Sequence, residues 1–389
     1  MQRTPLYNFH LEHGAKMVDF AGWEMPILYT PPDGTPGGIQ AEHVQVRTSG
    51  GFFDVSHMGR VAISGRHARR FLERLCTRRI SDMTPGQCRY SLVCNDRGGV
   101  RDDILVYKLD DDDYMLVVNA SNREKLLGHF EAVRTGAVPG LPAGDLTVQI
   151  EDRTLKTAMV AIQGPKVMDV VGRVSREIPT LKRYRFVEKN FLIMKLLVSR
   201  TGYTGEDGVE VILPAMAVEM AMKLLLSDLA AKAPTSVVKP AGLGARDTLR
   251  MEAAMPLYGH ELGEDINALS CGVDFALALD KDQDERGEPY VGMAALKATR
   301  DAGGPPRKLV GLFIDGKRTA RQGMKIQSSG KEVGEVTSGC LSPTLGRCIA
   351  MGFVDAALAA PGTKLEIDTG RDQNLSAEVT TMPFYKAGK

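Results

Sequence analysis

Asp103 and Tyr107 are the first residues of this chain whose types and spacing suggest chemistry. They close the stretch Tyr90-Ser91-Leu92-Val93-Cys94-Asn95-Asp96-Arg97-Gly98-Gly99-Val100-Arg101-Asp102-Asp103-Ile104-Leu105-Val106-Tyr107. Two alternating runs there flank a polar Asn-Asp-Arg-Gly-Gly turn, the pattern of a β-hairpin whose tip needs positive φ. Alternation puts Asp103, Leu105 and Tyr107 on one face and Asp102, Ile104 and Val106 on the other. A carboxylate beside an aromatic hydroxyl at the start of a half-buried strand suits a site for a cationic or amine-bearing ring. Paired aspartates also serve simply to blunt an exposed strand end, and the hairpin alone leaves both readings open.

Two further charged residues sit where a ligand is conceivable. Glu210 falls inside the strand-like run Val209-Glu210-Val211-Ile212-Leu213, so it points away from both neighbouring valines, either to solvent or into a pocket. The turn before it, Arg200-Thr201-Gly202-Tyr203-Thr204-Gly205-Glu206-Asp207-Gly208, has three glycines that let backbone approach a ligand closely. Arg246 lies on a predicted helix opened by Lys239-Pro240-Ala241-Gly242-Leu243-Gly244-Ala245, on one face with Leu249 and Ala253. A guanidinium there needs an anion, from a neighbouring side chain or a ligand carboxylate. Gly-Leu-Gly is not a dinucleotide fingerprint, since the third glycine and the ribose-binding acid are missing. His57, in Phe53-Asp54-Val55-Ser56-His57-Met58, has no acid or nucleophile at recognisable spacing. It is expected to be a hydrogen-bonding residue near a strand end, not a base.

Composition narrows the classes. The chain has 389 residues and a formal net charge of +1, without the basic excess that nucleic acid requires. No apolar stretch is long enough to span a bilayer, so no membrane partner is expected. Six cysteines (Cys76, Cys88, Cys94, Cys271, Cys340, Cys348) show neither Cys-x-x-Cys pairing nor His spacing suited to zinc, so reduced structural thiols and no metal are expected. The amino terminus carries no signal- or transit-peptide pattern.

These residues need elements to hold them. Residues 1 to 54 begin with an apolar and aromatic patch, Met17 to Pro26, pass a Pro/Gly-rich loop from Pro31 to Gly38, and continue in a helix from Ile39 to Arg47. To about residue 153 strands and helices alternate: Val61 to Ser64, a basic helix around Arg69 and Arg70, the hairpin, and Tyr114 to Asn119, with Asn119 at the strand end. The order βαββα with a further strand near Leu146 to Ile150 resembles a split βαβ arrangement. A second unit starts near Met159 and centres on a hairpin from Phe191 to Leu213. From about Gly292 short strands with glycine turns and no helix of note predict a small β-barrel.

Taken together the motifs resemble one family along nearly the whole chain. Thr4-Pro5-Leu6-Tyr7, Phe20-Ala21-Gly22-Trp23, Phe53-Asp54-Val55-Ser56-His57-Met58, Gly98-Gly99 with Asp102-Asp103, Gln163-Gly164-Pro165, Gly202-Tyr203-Thr204-Gly205-Glu206-Asp207-Gly208, Gly244-Ala245-Arg246-Asp247, Thr337-Ser338-Gly339 and Ser342-Pro343-Thr344-Leu345-Gly346 follow in the order found in the glycine cleavage T-proteins, the aminomethyltransferases. The resemblance implies an α+β fold of three domains in a cloverleaf around a central folate site, with ferredoxin-like split βαβ units and a C-terminal β-barrel. It implies a discontinuous first domain, 1–54 with 155–285, an inserted domain, 55–154, and a barrel domain, 290–389.

The implied reaction transfers a one-carbon unit from an S-aminomethyl lipoyl group on a carrier, the H-protein, to tetrahydrofolate. The products are 5,10-methylenetetrahydrofolate, ammonia and the dihydrolipoyl carrier. No side-chain nucleophile is required, which fits the absence of a Ser-His-Asp or Cys-His constellation. By motif match Asp103 is the key acid near the folate nitrogens, Glu210 the pterin-binding glutamate, and Arg246 a ligand-binding arginine. Tyr90, Tyr107 and Tyr203 match ring-packing and hydrogen-bonding positions, and Asn119 is a further candidate. Arg69, Arg70, Arg78 and Arg79 are candidates for a positive patch facing an acidic carrier, or for a solvated helix face.

Two departures bear on the site. The family's Pro-x-Glu-x-Gly-Leu-x-Trp pattern is here Ala268-Leu269-Ser270-Cys271-Gly272-Val273-Asp274-Phe275, so Ser270 and Phe275 are expected to alter one wall. A tetrahydrofolate-dependent demethylase of the same fold is the alternative enzyme. A folate-binding adaptor is disfavoured, because its loop cysteine is absent between Arg200 and Glu206. The amino terminus resembles the eukaryotic type, so the mitochondrial matrix is expected, with the bacterial cytoplasm as the alternative.

Overall fold

The computed structural model describes residues 1–30, 34, 37–142, 144, 146–191, 194–225, 237–370 and 373–388. The Pro/Gly-rich loop at 31–38 lies largely outside them. Two sheets stacked face to face and a barrel carry most of the described strands. A small third sheet joins Gln2–Arg3, Trp23–Tyr29 and Ala15–Phe20.

The first large sheet has five strands in the order Gln87–Cys94, Val100–Asp110, Asp113–Val118, Gly59–Ser64, Gln149–Asp152. Three consecutive strands form a meander, one more than the βαββα order allows, because the acidic segment Asp110 to Asp113 is a turn between paired strands. Alternation divides its residues. Val61, Ile63, Ile104 and Val106 pack under the helices Ala68–Leu75 and Arg123–Thr135, through Phe71, Leu72, Phe130 and Val133. Ala62, Tyr107, Met115 and Val117 face the other way.

They face the six-stranded sheet, ordered Phe186–Phe191, Met194–Ser199, Gly208–Pro214, Thr157–Gln163, Gly51–Asp54, Lys239–Pro240. Phe53, Met159, Ala161, Leu197 and Ile212 meet the first sheet, while Phe52, Val160, Val198 and Val211 pack on the helix Val167–Val174. Each such fully buried side chain contributes on the order of 1.5–3 kcal/mol, so both registers are firmly set. A slip of one residue would turn the apolar set to water.

After the helix Met293–Asp301, the strands Arg307–Ile314, Cys348–Asp355, Lys331–Leu341, Lys325–Ser328, Lys364–Ile367 and Leu375–Thr380 close into a barrel. That helix corrects the expectation of none after Gly292. Its apolar positions Met293 and Leu296 pack with Leu92, Cys94 and Val100 of the hairpin, not with the barrel. Among the described residues no helix is long and apolar enough to cross a membrane, and all six cysteines are free.

The hairpin tip is built on Asn95, whose Oδ1 accepts from the backbone N–H of Arg97 (3.1 Å) and Gly99 (2.9 Å). Gly98 takes the expected positive φ of 80°. Gly99 is required for a different reason: a Cβ there would lie 1.8 Å from the Glu264 carbonyl oxygen. Gly99→Ala is therefore expected to lower the unfolding free energy by about 1–3 kcal/mol, read as a lower urea midpoint at unchanged slope. A wild-type midpoint would show that residue 264 does not seat on the tip.

Candidate functional site

Where the two stacked sheets, the loop after residue 253 and one end of the barrel meet, they leave a cavity of about 1270 Å³. Tyr90, Asp103, Tyr107, Asn119, Tyr203, Glu210 and Arg246 all line it. Strand alternation explains why the two acids converge. Asp103 shares a face with Tyr107, and Glu210, opposite Ala161 and Ser199, shares one with Ile212. Both faces are the inner ones, so each sheet aims one carboxylate into the same gap.

Asp103 accepts hydrogen bonds from the Tyr90 hydroxyl (3.2 Å) and the Asn119 amide (2.7 Å). Burial pushes its carboxyl above the usual aspartate range, and those two donors oppose the rise. Asp102 does not line the cavity. It is fully buried and takes N–H bonds from the Asn119 backbone (3.0 Å), the Asn119 amide (2.8 Å) and the Asn122 amide (2.5 Å). Asn119 thus bridges two carboxylates on opposite faces of one strand, a contact that sequence spacing does not reveal.

Glu210 ends a buried chain of hydroxyls: Tyr107 to Ser199 (3.1 Å), Ser199 to Thr201 (2.7 Å), and Thr201 donating to Glu210 Oε2 (2.5 Å). Burial raises the Glu210 carboxyl while Thr201 and the nearby Arg246 hold it down. Tyr107 is itself fully buried against Phe186, so its hydroxyl orients Glu210 through Ser199 and Thr201.

Arg246 lies with its guanidinium carbon 4.8 Å from the Tyr203 ring centre, and Tyr203 is fixed by donating to the Pro256 carbonyl (2.5 Å). The buried Nη1 of Arg246 has no hydrogen-bond partner. An unsatisfied guanidinium nitrogen in a cavity wall is a place for an acceptor on a ligand. The groups present suit a flat ring that carries N–H donors and an acceptor group: Glu210 can accept two N–H donors side by side, Arg246 can donate, and tyrosine rings flank the gap.

The structure adds residues that spacing missed. Tyr184, exposed and at a positive φ of 60°, stands in the cavity wall. His57 is buried there against Phe20, with Nδ1 unpartnered, and burial pushes its imidazole down to about 4. The hydrogen-bonding role expected for His57 is therefore not found at Nδ1, because the residue faces the cavity and not the strand end.

Of the departures, Phe275 lines the cavity, 63% exposed and 5.8 Å from the Tyr90 ring, whereas Ser270 is buried behind the wall and does not line it. Gly202 gives the Gln163 side chain room, since a Cβ would lie 1.8 Å from Gln163 Oε1. The close approach expected for a ligand is, at that glycine, to a side chain. Two of the four arginines of the candidate patch are ion-paired, Arg70 with Glu288 and Arg79 with Asp280 and Asp284, while Arg69 donates to the neutral Arg286 carbonyl.

The helix Leu243–Glu252 that carries Arg246 is tied to its surroundings by buried ions. Arg250 pairs with Glu261 (2.9 Å) and donates to Ser338 (2.9 Å), and Glu261 also takes the hydroxyls of Thr337 and Ser338. Glu252 pairs with Arg47 (2.9 Å) and His43 (3.2 Å) and accepts from Ser342 and Thr344. Burial pushes the Glu252 carboxyl up, but His43, Ser342 and Thr344 outweigh it and hold it at about 2.

Comparison with known proteins agrees in extent. Residues 6–281 match the GCVT N-terminal domain and residues 307–386 the glycine cleavage T-protein C-terminal barrel domain. The chain is 41% identical to an aminomethyltransferase of Desulforamulus reducens over 387 residues, covering 99% of this chain and 98% of that one. It is 42% identical to an aminomethyltransferase of Rubrobacter xylanophilus over 388 residues, covering 99% and 95%. The crystal structure of glycine cleavage system aminomethyltransferase T from Bartonella henselae matches it with a TM-score of 0.85 at 30% identity, over 99% of this chain and 98% of that one.

A carboxyl held low in the fold contributes stability above its unfolded value and loses that contribution as pH falls through the folded one. Glu252 should therefore contribute roughly 3 kcal/mol at neutral pH, lost between about pH 4.5 and 2. Denaturant unfolding of Glu252→Gln should show a shallower acid decline than wild type. Identical declines would remove Glu252 from the acid lability.

Proposed function

Because the chain belongs to the glycine cleavage T-protein family of aminomethyltransferases, we propose that its central cavity binds tetrahydrofolate and receives the S-aminomethyl lipoyl arm of an H-protein. The observation that carries this reading is the convergence of Asp103, Glu210 and Arg246, whose Nη1 has no hydrogen-bond partner, on one cavity. Tetrahydrofolate supplies the nucleophilic nitrogen and takes up the carbon, giving 5,10-methylenetetrahydrofolate, while ammonia and the dihydrolipoyl carrier are released.

In this reading the protein works by positioning and electrostatics. Glu210, aimed by Thr201, accepts from the ring amide and exocyclic amine of the pterin. Tyr203 and Tyr90 pack beside the ring, and Arg246 meets an acceptor or carboxylate of the same ligand. Asp103, held by Tyr90 and Asn119, faces the positive charge that develops on the transferred carbon and its nitrogen as the thiolate leaves. Burial strengthens that interaction by excluding water.

We further propose the division into residues 1–54 with 155–285, 55–154 and 290–389. Strand Gly51–Asp54 pairs with Thr157–Gln163 while the chain between them forms a sheet of its own, which supports the insertion. The relatives above are bacterial. They lend no support to the mitochondrial matrix and fit a bacterial cytoplasm.

The test is ammonia release from aminomethyl-lipoyl H-protein with and without tetrahydrofolate. Wild type should show strong folate-dependent release, and Asp103→Asn should lose about 10²–10³-fold in turnover. Equal activity would remove Asp103 from the mechanism. No activity in either protein, with tetrahydrofolate bound, would move the donor to a methylated amine. Separately, Glu210→Gln should weaken tetrahydrofolate binding by roughly 10-fold or more in a calorimetric titration, and unchanged affinity would place the pterin elsewhere.

A further inference from the structure

The two nitrogens of a histidine ring are told apart by what each one bonds. His260, on the loop after the helix Leu243–Glu252, stands half-buried in the wall of the central cavity. Both hydrogen-bonding contacts of its imidazole fall on Nδ1: the Thr337 carbonyl oxygen is 2.9 Å away and the Ser338 hydroxyl oxygen 3.2 Å. A carbonyl can only accept. Ser338 gives its one hydrogen to Glu261 Oε1 (2.6 Å), so it too can only accept from the ring. Nδ1 therefore carries the hydrogen, and in the neutral ring Nε2 carries the lone pair.

The loop fixes that ring in place. The His260 backbone N–H bonds the Leu257 carbonyl (3.1 Å), the Gly259 carbonyl accepts from Gln322 (2.9 Å), and Glu261 is held in its buried pair with Arg250. An acceptor set in advance needs no reordering when a donor arrives.

Position narrows the donor. Glu210, Asp103 and the tyrosines beside them come from the two stacked sheets and their turns. His260 is bonded instead to the barrel strand Lys331–Leu341, whose next residues, Gly339, Cys340 and Leu341, line the same cavity. Two reactants have to share this cavity, and the barrel wall is the part to which the folate ring has no claim. We propose that His260 is a substrate-binding residue whose Nε2 accepts a hydrogen bond from an N–H of the carrier's S-aminomethyl lipoyl arm. The arm offers two such groups, the amide that joins it to the carrier and the amine of the aminomethyl unit. This inference rests on the reading of the cavity given above.

The experiment measures folate-dependent ammonia release at varied aminomethyl-lipoyl H-protein for wild type, His260→Asn and His260→Gln. The Asn amide nitrogen can take the place of Nδ1 and keep the bond to Thr337, with nothing in the place of Nε2, whereas Gln reaches that place with an acceptor oxygen. KM for the carrier should rise about 3- to 10-fold in His260→Asn and return toward wild type in His260→Gln, with the calorimetric affinity for tetrahydrofolate unchanged in both. An unchanged carrier KM in His260→Asn overturns the proposal. So does a weakening confined to tetrahydrofolate, which puts the lone pair on the folate, or a fall in kcat and both affinities together, which makes His260 structural.

Should His260→Asn not fold, ¹⁵N-histidine NMR of the wild-type protein decides. The His260 Nε2 resonance should move when aminomethyl-lipoyl H-protein is added without folate, and an unmoved resonance overturns the proposal. Plain lipoyl H-protein, which keeps the amide and lacks the amine, moves it only if the amide is the donor. Absence of folate-dependent release in wild type sinks the assigned reaction instead, and the NMR titration still reports whether the arm meets His260.

Discussion

A buried arginine must be surrounded by acceptors, and that constraint holds this protein together around its central cavity. Arg250 and Arg47 are nearly inaccessible, and the two glutamates they require, Glu261 and Glu252, are in turn bound by hydroxyls of the barrel. Breaking one partner of such a cluster leaves an uncompensated charge, at a cost of about 3–5 kcal/mol. The helix Leu243–Glu252 therefore cannot drift from the barrel, and the cavity it borders keeps its width. Two of the chain's recognisable motifs, Thr337-Ser338-Gly339 and Ser342-Pro343-Thr344, gain a physical role here as hydroxyl donors to buried glutamates. They act on the site at one remove.

The cavity is polar in the few places where polarity matters. Stacked sheets generate an apolar gap, and alternation lets each strand substitute one carboxylate for one apolar side chain without disturbing the outer face. Each carboxylate then needs donors that the apolar gap does not provide. For Glu210 these come through Thr201, Ser199 and Tyr107, and for Asp103 from Tyr90 and Asn119. Arg246 is the exception, with one nitrogen left unsatisfied.

The sequence by itself determined a good deal. Periodicity of two placed Asp103 with Tyr107 and set Glu210 apart from its flanking valines, since a pleated strand has no other arrangement. Glycine turns between short strands announced the barrel, and the ordered motifs announced the family. Only the tertiary structure decided which faces meet. The hairpin allowed solvated aspartates as readily as a site, and the choice fell to the second sheet stacked on it. Alternation put Asp102 on the face opposite Asp103, and the end of the neighbouring strand brings Asn119 to it and buries it. His57 and Tyr184 gave no spacing signal, because their neighbours in the cavity wall come from segments distant in the chain. Glycines 99 and 202 read alike as turn residues, but Gly99 makes room for the Glu264 carbonyl and Gly202 for the Gln163 side chain. Local pattern fixes direction along an element, whereas close approach depends on what packs against it, and no single stretch of chain contains that information.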